Sequence, residues 1–164
     1  MMVHEEDEAG YGPVDRLQSW FDARELEFDR ISDEEIVATV KGAWGQYELR
    51  GIWREDDGVL QFLAFPDIRV PEHQRSQVHE AIGLINEGLW LGHFEIWSQG
   101  GAVLYRHALL LPGDALGADQ AETLVEMAID DLDRFYPVFQ FVMWGGKSAK
   151  DALAAALVDT RGEA

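Results

Sequence analysis

Apolar residues recur at helical spacing in three stretches of the chain, and each stretch predicts a helix. The first follows Pro13, a residue suited to a first helical turn, and ends near Arg24. The second begins at Pro71, and the third covers about 118–144. Ser148 is a capping residue and predicts a last short helix that ends near Val158. The apolar stripe of the second helix is Val78, Ala81, Ile82, Ile85 and Leu89.

Alternating or β-branched segments predict six strands between these helices. Their approximate ranges are 26–31, 36–41, 47–54, 59–65, 93–97 and 102–111. Asp57-Gly58 supplies the positive φ angles of a tight turn, so the third and fourth strands form a hairpin. The order is helix, four strands, helix, two strands, helix, helix. This order predicts an antiparallel α+β domain whose helices cover part of one sheet face.

Composition indicates one soluble globular domain. The chain has 164 residues, 47% of them apolar, and no Cys, which excludes disulfides and thiolate metal sites. Residues 1–12 are expected to be an acidic flexible lead-in, 13–159 a single domain, and 160–164 a frayed tail.

The net charge of −18 changes the list of expected partners. A strongly negative protein repels phosphate, so nucleic acid and anionic membranes are not expected to bind it. The N-terminus is acidic and lacks the basic start and apolar run of a secretory signal, and no stretch is apolar enough to span a membrane. We therefore expect a cytoplasmic protein.

No motif predicts catalysis, a metal site or a cofactor. None of the five His forms a paired ligand motif. Four acidic residues of the long helix fall on one stripe opposite its apolar face, which is typical of a solvated surface. They are Glu122, Glu126, Asp130 and Asp133, with Asp131 beside them. The alternative is a small-molecule or metal-dependent enzyme that uses this acidic face with His79 or His107.

One sheet face mixes apolar, aromatic and Arg side chains, a composition found at protein interfaces. Strand alternation assigns to this candidate partner-binding face Arg50, Ile52, Arg54, Glu95, Trp97, Leu104 and Arg106. The alternative is a solvated face held by cross-strand ion pairs such as Glu95 with Arg106.

Two neighbouring motifs resemble those of a known family. The first extends from Ile85 to Glu95 and contains Asn86, Leu89 and Gly92-His93-Phe94-Glu95. The second is Gly101-Ala102-Val103-Leu104-Tyr105-Arg106. Together they resemble the YbjN family of bacterial sensory transduction regulators over about residues 13–144.

The resemblance implies a fold similar to that of type III secretion chaperones and a non-enzymatic role. It also implies a homodimer and the binding of another protein or polypeptide segment. The sequence therefore predicts a cytoplasmic protein-interaction module with a regulatory or chaperone-like role.

Overall fold

The computed structural model describes residues 12–162, with side chains placed through residue 157. Residues 1–11 of the expected lead-in and residues 163–164 of the expected tail lie outside the described residues. Within residues 12–162 the four α-helices are α1 Pro13–Ala23, α2 Arg75–Glu87, α3 Ala118–Met143 and α4 Ala149–Gly162. Helix α4 extends past the end expected near Val158. Among the described residues, none of the helices combines the length and apolar character that a membrane span requires.

Six strands form one antiparallel sheet in the order β1-β2-β3-β4-β6-β5. Their bounds are β1 Glu27–Ser32, β2 Glu35–Lys41, β3 Gln46–Arg54, β4 Val59–Phe65, β5 His93–Ile96 and β6 Val103–Leu110. The number, type and chain order of these main elements confirm the predicted mixed α+β fold.

The expected hairpin turn joins β3 to β4. Gly58 has a φ of 63°, a conformation that suits a residue without a Cβ. The carbonyl of Gly58 accepts a hydrogen bond from the amide of Leu111 at 2.9 Å. The turn is thereby tied to the end of β6, the next strand in the sheet.

The helices pack on one face of the sheet, which we call the inner face. Its side chains come from alternate residues of each strand and include the fully buried Tyr47, Leu49, Phe62 and Tyr105. Helix α1 contacts β1–β3, α2 contacts β5, and α3 contacts β4 and β6. The predicted apolar stripes of α2 and α3 lie in this core, since both helices direct their buried residues toward the sheet.

Gly51 in β3 lets α1 approach the inner face closely. A Cβ at this position would lie 2.5 Å from Cδ1 of Leu17, which is fully buried on α1. Asp15 then links the start of α1 to β1, because its carboxylate receives a hydrogen bond from Nη1 of Arg30 at 2.8 Å. The small residue and the ion pair together set how α1 lies across the first three strands.

Candidate functional site

The opposite face of the sheet carries the predicted partner-binding residues, and we call it the outer face. The strand register places Arg50 opposite Leu63, Leu63 opposite Arg106, and Arg106 opposite His93. This row crosses four strands. Glu95 and Leu104 form the neighbouring pair on the same face. Arg54 lies four residues along β3 from Arg50, a separation of about 13 Å at the usual rise of a strand.

Glu95 and Arg106 form the centre of a polar network on the outer face. Nη2 of Arg106 donates to Oε1 of Glu95 at 2.6 Å, and Nη1 of Arg106 donates to Oε1 of Gln61 at 2.6 Å. Nε2 of His93 lies 2.7 Å from Oε2 of Glu95. Burial by itself raises the pKa of Glu95, but the hydrogen bonds from Arg106 and His93 outweigh it, so the pKa lies below its ordinary value.

The other two arginines of the outer face also have acidic partners. Arg50 contacts Glu35 and Glu48, each at 3.3 Å. Nε of Arg54 lies 3.0 Å from Oδ2 of Asp57 in the hairpin turn. The structure therefore contains the cross-strand ion pairs that the sequence offered as the alternative. The arginines are held in fixed positions by acids and do not form a separate cationic patch.

The apolar members of the predicted set differ in their exposure. Leu104 is 0% exposed although no described helix covers this face, so its side chain offers no surface to a partner. Ile52 is half-buried. Trp97 follows the end of β5, is 42% exposed, and packs edge-to-face on Phe65 with ring centroids 5.2 Å apart. Trp97 is therefore the main apolar contact that the predicted residues present to solvent.

The acidic stripe of α3 does not form a single site. Glu122 and Glu126 both approach Arg24, at 3.0 and 3.8 Å. Oδ1 of Asp133 accepts hydrogen bonds from the hydroxyl of Tyr47 at 2.6 Å and from the amide of Ala43 at 2.9 Å.

The two histidines of the alternative reading lie in different places. His79 is exposed on α2, whereas His107 is buried on β6. Among the residues that the structure describes, no three His, Cys, Asp or Glu form a group able to hold a metal ion.

A polar cluster lies between β6 and α3, with Tyr105 and His107 buried and Asp131 half-buried, and the sequence analysis did not identify it. Burial raises the pKa of the Tyr105 hydroxyl, and the nearby Asp131 carboxylate adds to the increase. Burial also raises the pKa of Asp131 and lowers that of His107. Each shift favours the neutral form of its group. The sequence contained only a weak signal for this cluster. Tyr105 and His107 alternate with the outer-face residues of β6, which assigns both to the inner face. Asp131 lies beside the acidic stripe of α3 and not on it.

Next to this cluster, an apolar cavity of about 350 Å³ opens between β6 and the first turns of α3. Its apolar wall comes from Leu91, Leu109, Leu124 and Met127, and His107 contributes its ring. The loop before β5 forms one side of the opening. In that loop Trp90 is 96% exposed, the largest exposure among the large apolar side chains of the described residues.

The family comparison agrees with the geometry. A family model named YbjN, described as "Putative bacterial sensory transduction regulator", matches residues 13–141. The match covers all six strands and α1 to nearly the end of α3. No curated protein matches the chain.

The solved structures that are similar to this chain include the following two. The crystal structure of YbjN from E. coli, titled as a putative transcription regulator, superposes with a TM-score of 0.52 at 11% identity. That alignment covers 73% of this chain and 85% of the other. The crystal structure of the ExsC-ExsE complex gives a TM-score of 0.45 at 14% identity, covering 78% and 90% of the two chains. The likeness to E. coli YbjN concerns the fold.

Proposed function

This chain belongs to the YbjN family, and from that premise we propose that it is a non-enzymatic protein-interaction module of the bacterial cytoplasm. Its role is regulatory or chaperone-like, its partner is another protein or a polypeptide segment, and it acts as a homodimer. The observation that carries the proposal is the outer face of the sheet, which no described helix covers. In a two-layer domain this large face remains available to a partner.

The chemistry of the outer face suits recognition of a protein. Trp97 supplies a partly exposed aromatic ring, and Arg106 stands in the same area with its guanidinium oriented by Glu95 and Gln61. Aromatic and Arg side chains dominate the binding energy of many protein interfaces. Because Glu95 and Gln61 already restrict the rotamers of Arg106, binding of a partner would cost little additional side-chain entropy at this residue.

The test is affinity capture from the source cell with the wild type and with the double variant Trp97→Ala/Arg106→Ala. We expect the double variant to lose one or more proteins that the wild type retains. The matched control is Trp144→Ala/Lys147→Ala, which removes an exposed Trp and an exposed cation beyond the end of α3. Identical partner lists for the wild type and the outer-face variant would contradict the proposed surface.

A second candidate function rests on the polar cluster beside the apolar cavity. Asp131 and His107 have pKa values shifted in opposite directions, an arrangement also found at acid/base sites. The sequence analysis offered a small-molecule or metal-dependent enzyme that uses the acidic stripe as the alternative. In the structure, the residues that best suit such a site are Asp131 and His107. A thermal-shift screen with divalent cations and common metabolites tests it, because a bound ligand raises the apparent stability. A ligand that stabilises the wild type but not His107→Phe supports this function, and no shift with any ligand argues against it.

A further inference from the structure

The loop between α2 and β5 presents an apolar surface that nothing in the described chain covers. Trp90 is 96% exposed and Leu91 is 62% exposed. A Trp side chain removes about 150–250 Å² from water when it is buried, so leaving one exposed forgoes a large stabilisation. Exposed apolar groups gathered in one region indicate an interaction site.

The second half of β6 is an open sheet edge in the same region. Strand β5 pairs only with residues 103–106 of β6. The amides of Val103 and Leu111 donate to carbonyls on the β4 side. By the alternation of an antiparallel ladder, Ala108 and Leu110 direct their backbone groups away from β4, where no described strand pairs with them. Such an edge is a template for another chain.

The cavity beside His107 has a size that suits an indole ring. Its volume is about 350 Å³. A cavity of about 150 Å³ is enough to bind benzene, so the larger volume here leaves room for the two fused rings of an indole. The cavity opens beside Leu91, the residue that follows Trp90. The chain therefore carries an exposed indole and an indole-sized cavity next to each other.

Because Trp90 and the cavity lie next to each other, the surface that contains them suits binding to a second copy of the same chain. A twofold interface joins the same patch on both subunits, so a projecting group and its receiving cavity must lie on one surface. Trp90 and the cavity satisfy that requirement. The open edge satisfies it too, since Ala108 of one copy can pair with Leu110 of the other in an antiparallel arrangement. A second copy of this chain thus fits both features at once.

We propose that two copies of this chain dimerise through this region, with Trp90 of each copy inserted into the cavity beside His107 of the other. The proposal rests on the homodimer of the proposed function and assigns it an interface. Neither Trp97 nor Arg106 belongs to this interface. The capture experiment that alters those two residues can therefore fail while the dimer interface holds, and the dimer can fail while the capture result holds.

The charge of the chain predicts how salt affects the dimer. Each copy carries a net charge of −18, and Asp119 lines the cavity. Two such copies repel each other, and salt screens this repulsion. Dimerisation therefore strengthens as the salt concentration rises. Binding of a basic partner at the same place would instead weaken with salt.

The test is sedimentation equilibrium of the full chain at low and high salt. The wild type is expected to form dimers, more tightly at high salt, and Trp90→Ala to weaken them by about 30-fold or more, as for an interface hot spot. The matched control is Trp144→Ala, which removes an exposed Trp at the opposite end of α3 and leaves the dimer unchanged. Thermal unfolding confirms that each variant is folded.

A second variant tests the cavity without touching Trp90. Thr123 is exposed and lines the cavity, so Thr123→Phe fills it from the rim. We expect this variant to be monomeric. A mixture with Trp90→Ala should form heterodimers, because one indole and one open cavity remain as a matched pair. A wild type that stays monomeric at high salt, a Trp90→Ala dimer as tight as the wild type, or no heterodimer in the mixture would each overturn the proposal.

Discussion

The inner face of the sheet is covered by helices, whereas no described helix covers the outer face. On the inner face, Phe94 is 1% exposed and packs its ring against Tyr105, Phe135 and Phe139. On the outer face, Leu104 is 0% exposed without any described helix above it. The comparison shows that an aliphatic side chain of this sheet can be fully buried without a helix packed above it.

The two faces also treat charge differently. The outer face keeps its groups ionised in pairs such as Glu95 with Arg106. The inner face shifts the pKa values of Asp131 and His107 toward their neutral forms. Hydrogen bonds stabilise the charged form of Glu95 despite its partial burial, whereas burial opposes the charged forms of Asp131 and His107.

The largest expected effect comes from the aromatic cluster of the inner face. Phe94→Ala should lower the free energy of unfolding by about 3–5 kcal/mol, since it removes a fully buried ring and leaves a cavity among three others. Chemical denaturation measures it. Phe65→Ala on the outer face is the control and should cost less, because Phe65 is half-buried. Equal losses would mean that the two faces pack alike.

A smaller effect is expected from the buried leucine of the outer face. Leu104→Ala should cost about 2–3 kcal/mol, toward the low end for a buried Leu, because the open face lets its neighbours relax into the space. Ile52→Ala, a half-buried residue of the same face, should cost less in the same denaturation assay. If Leu104→Ala has no effect, the side chains of the outer face do not exclude water as the structure indicates.

The smallest effect is a pH dependence on the inner face. Burial lowers the pKa of His107 below its ordinary value, and the carboxylate of Asp131 offsets only part of the change. The unfolded chain binds a proton at this His near pH 6.5, before the folded chain does. The contribution of His107 to the free energy of unfolding therefore falls as the pH drops below about 6.5.

Removing the imidazole tests this dependence. The His107→Phe variant lacks the loss of unfolding free energy that protonation of His107 causes. Its unfolding free energy should therefore depend less steeply on pH between about pH 6.5 and 5. Denaturation curves at several pH values measure the slope. A His107→Phe slope equal to that of the wild type would show that His107 is not the group responsible.

The strands and helices were predictable because their signals are local. Alternation in β3 separated Tyr47 and Leu49 from Arg50, and the sheet register confirms that they lie on opposite faces. The family motifs of β5 and β6 were also visible. What alternation did not show is that Leu104 is fully buried on the face assigned to solvent and partners. Alternation along one strand assigns a residue to a face, but its exposure also depends on which other parts of the chain pack beside it.

The sequence by itself determined the α+β order of elements, the family and the assignment of strand residues to faces, since these follow from periodicity and short motifs. The tertiary structure decided which charges meet and which remain buried. It brought Tyr105, His107 and Asp131 together although β6 and α3 are separate segments, and it left Trp90 exposed beside a cavity lined partly by α3. Such contacts depend on the distances between packed elements, which a linear pattern does not contain.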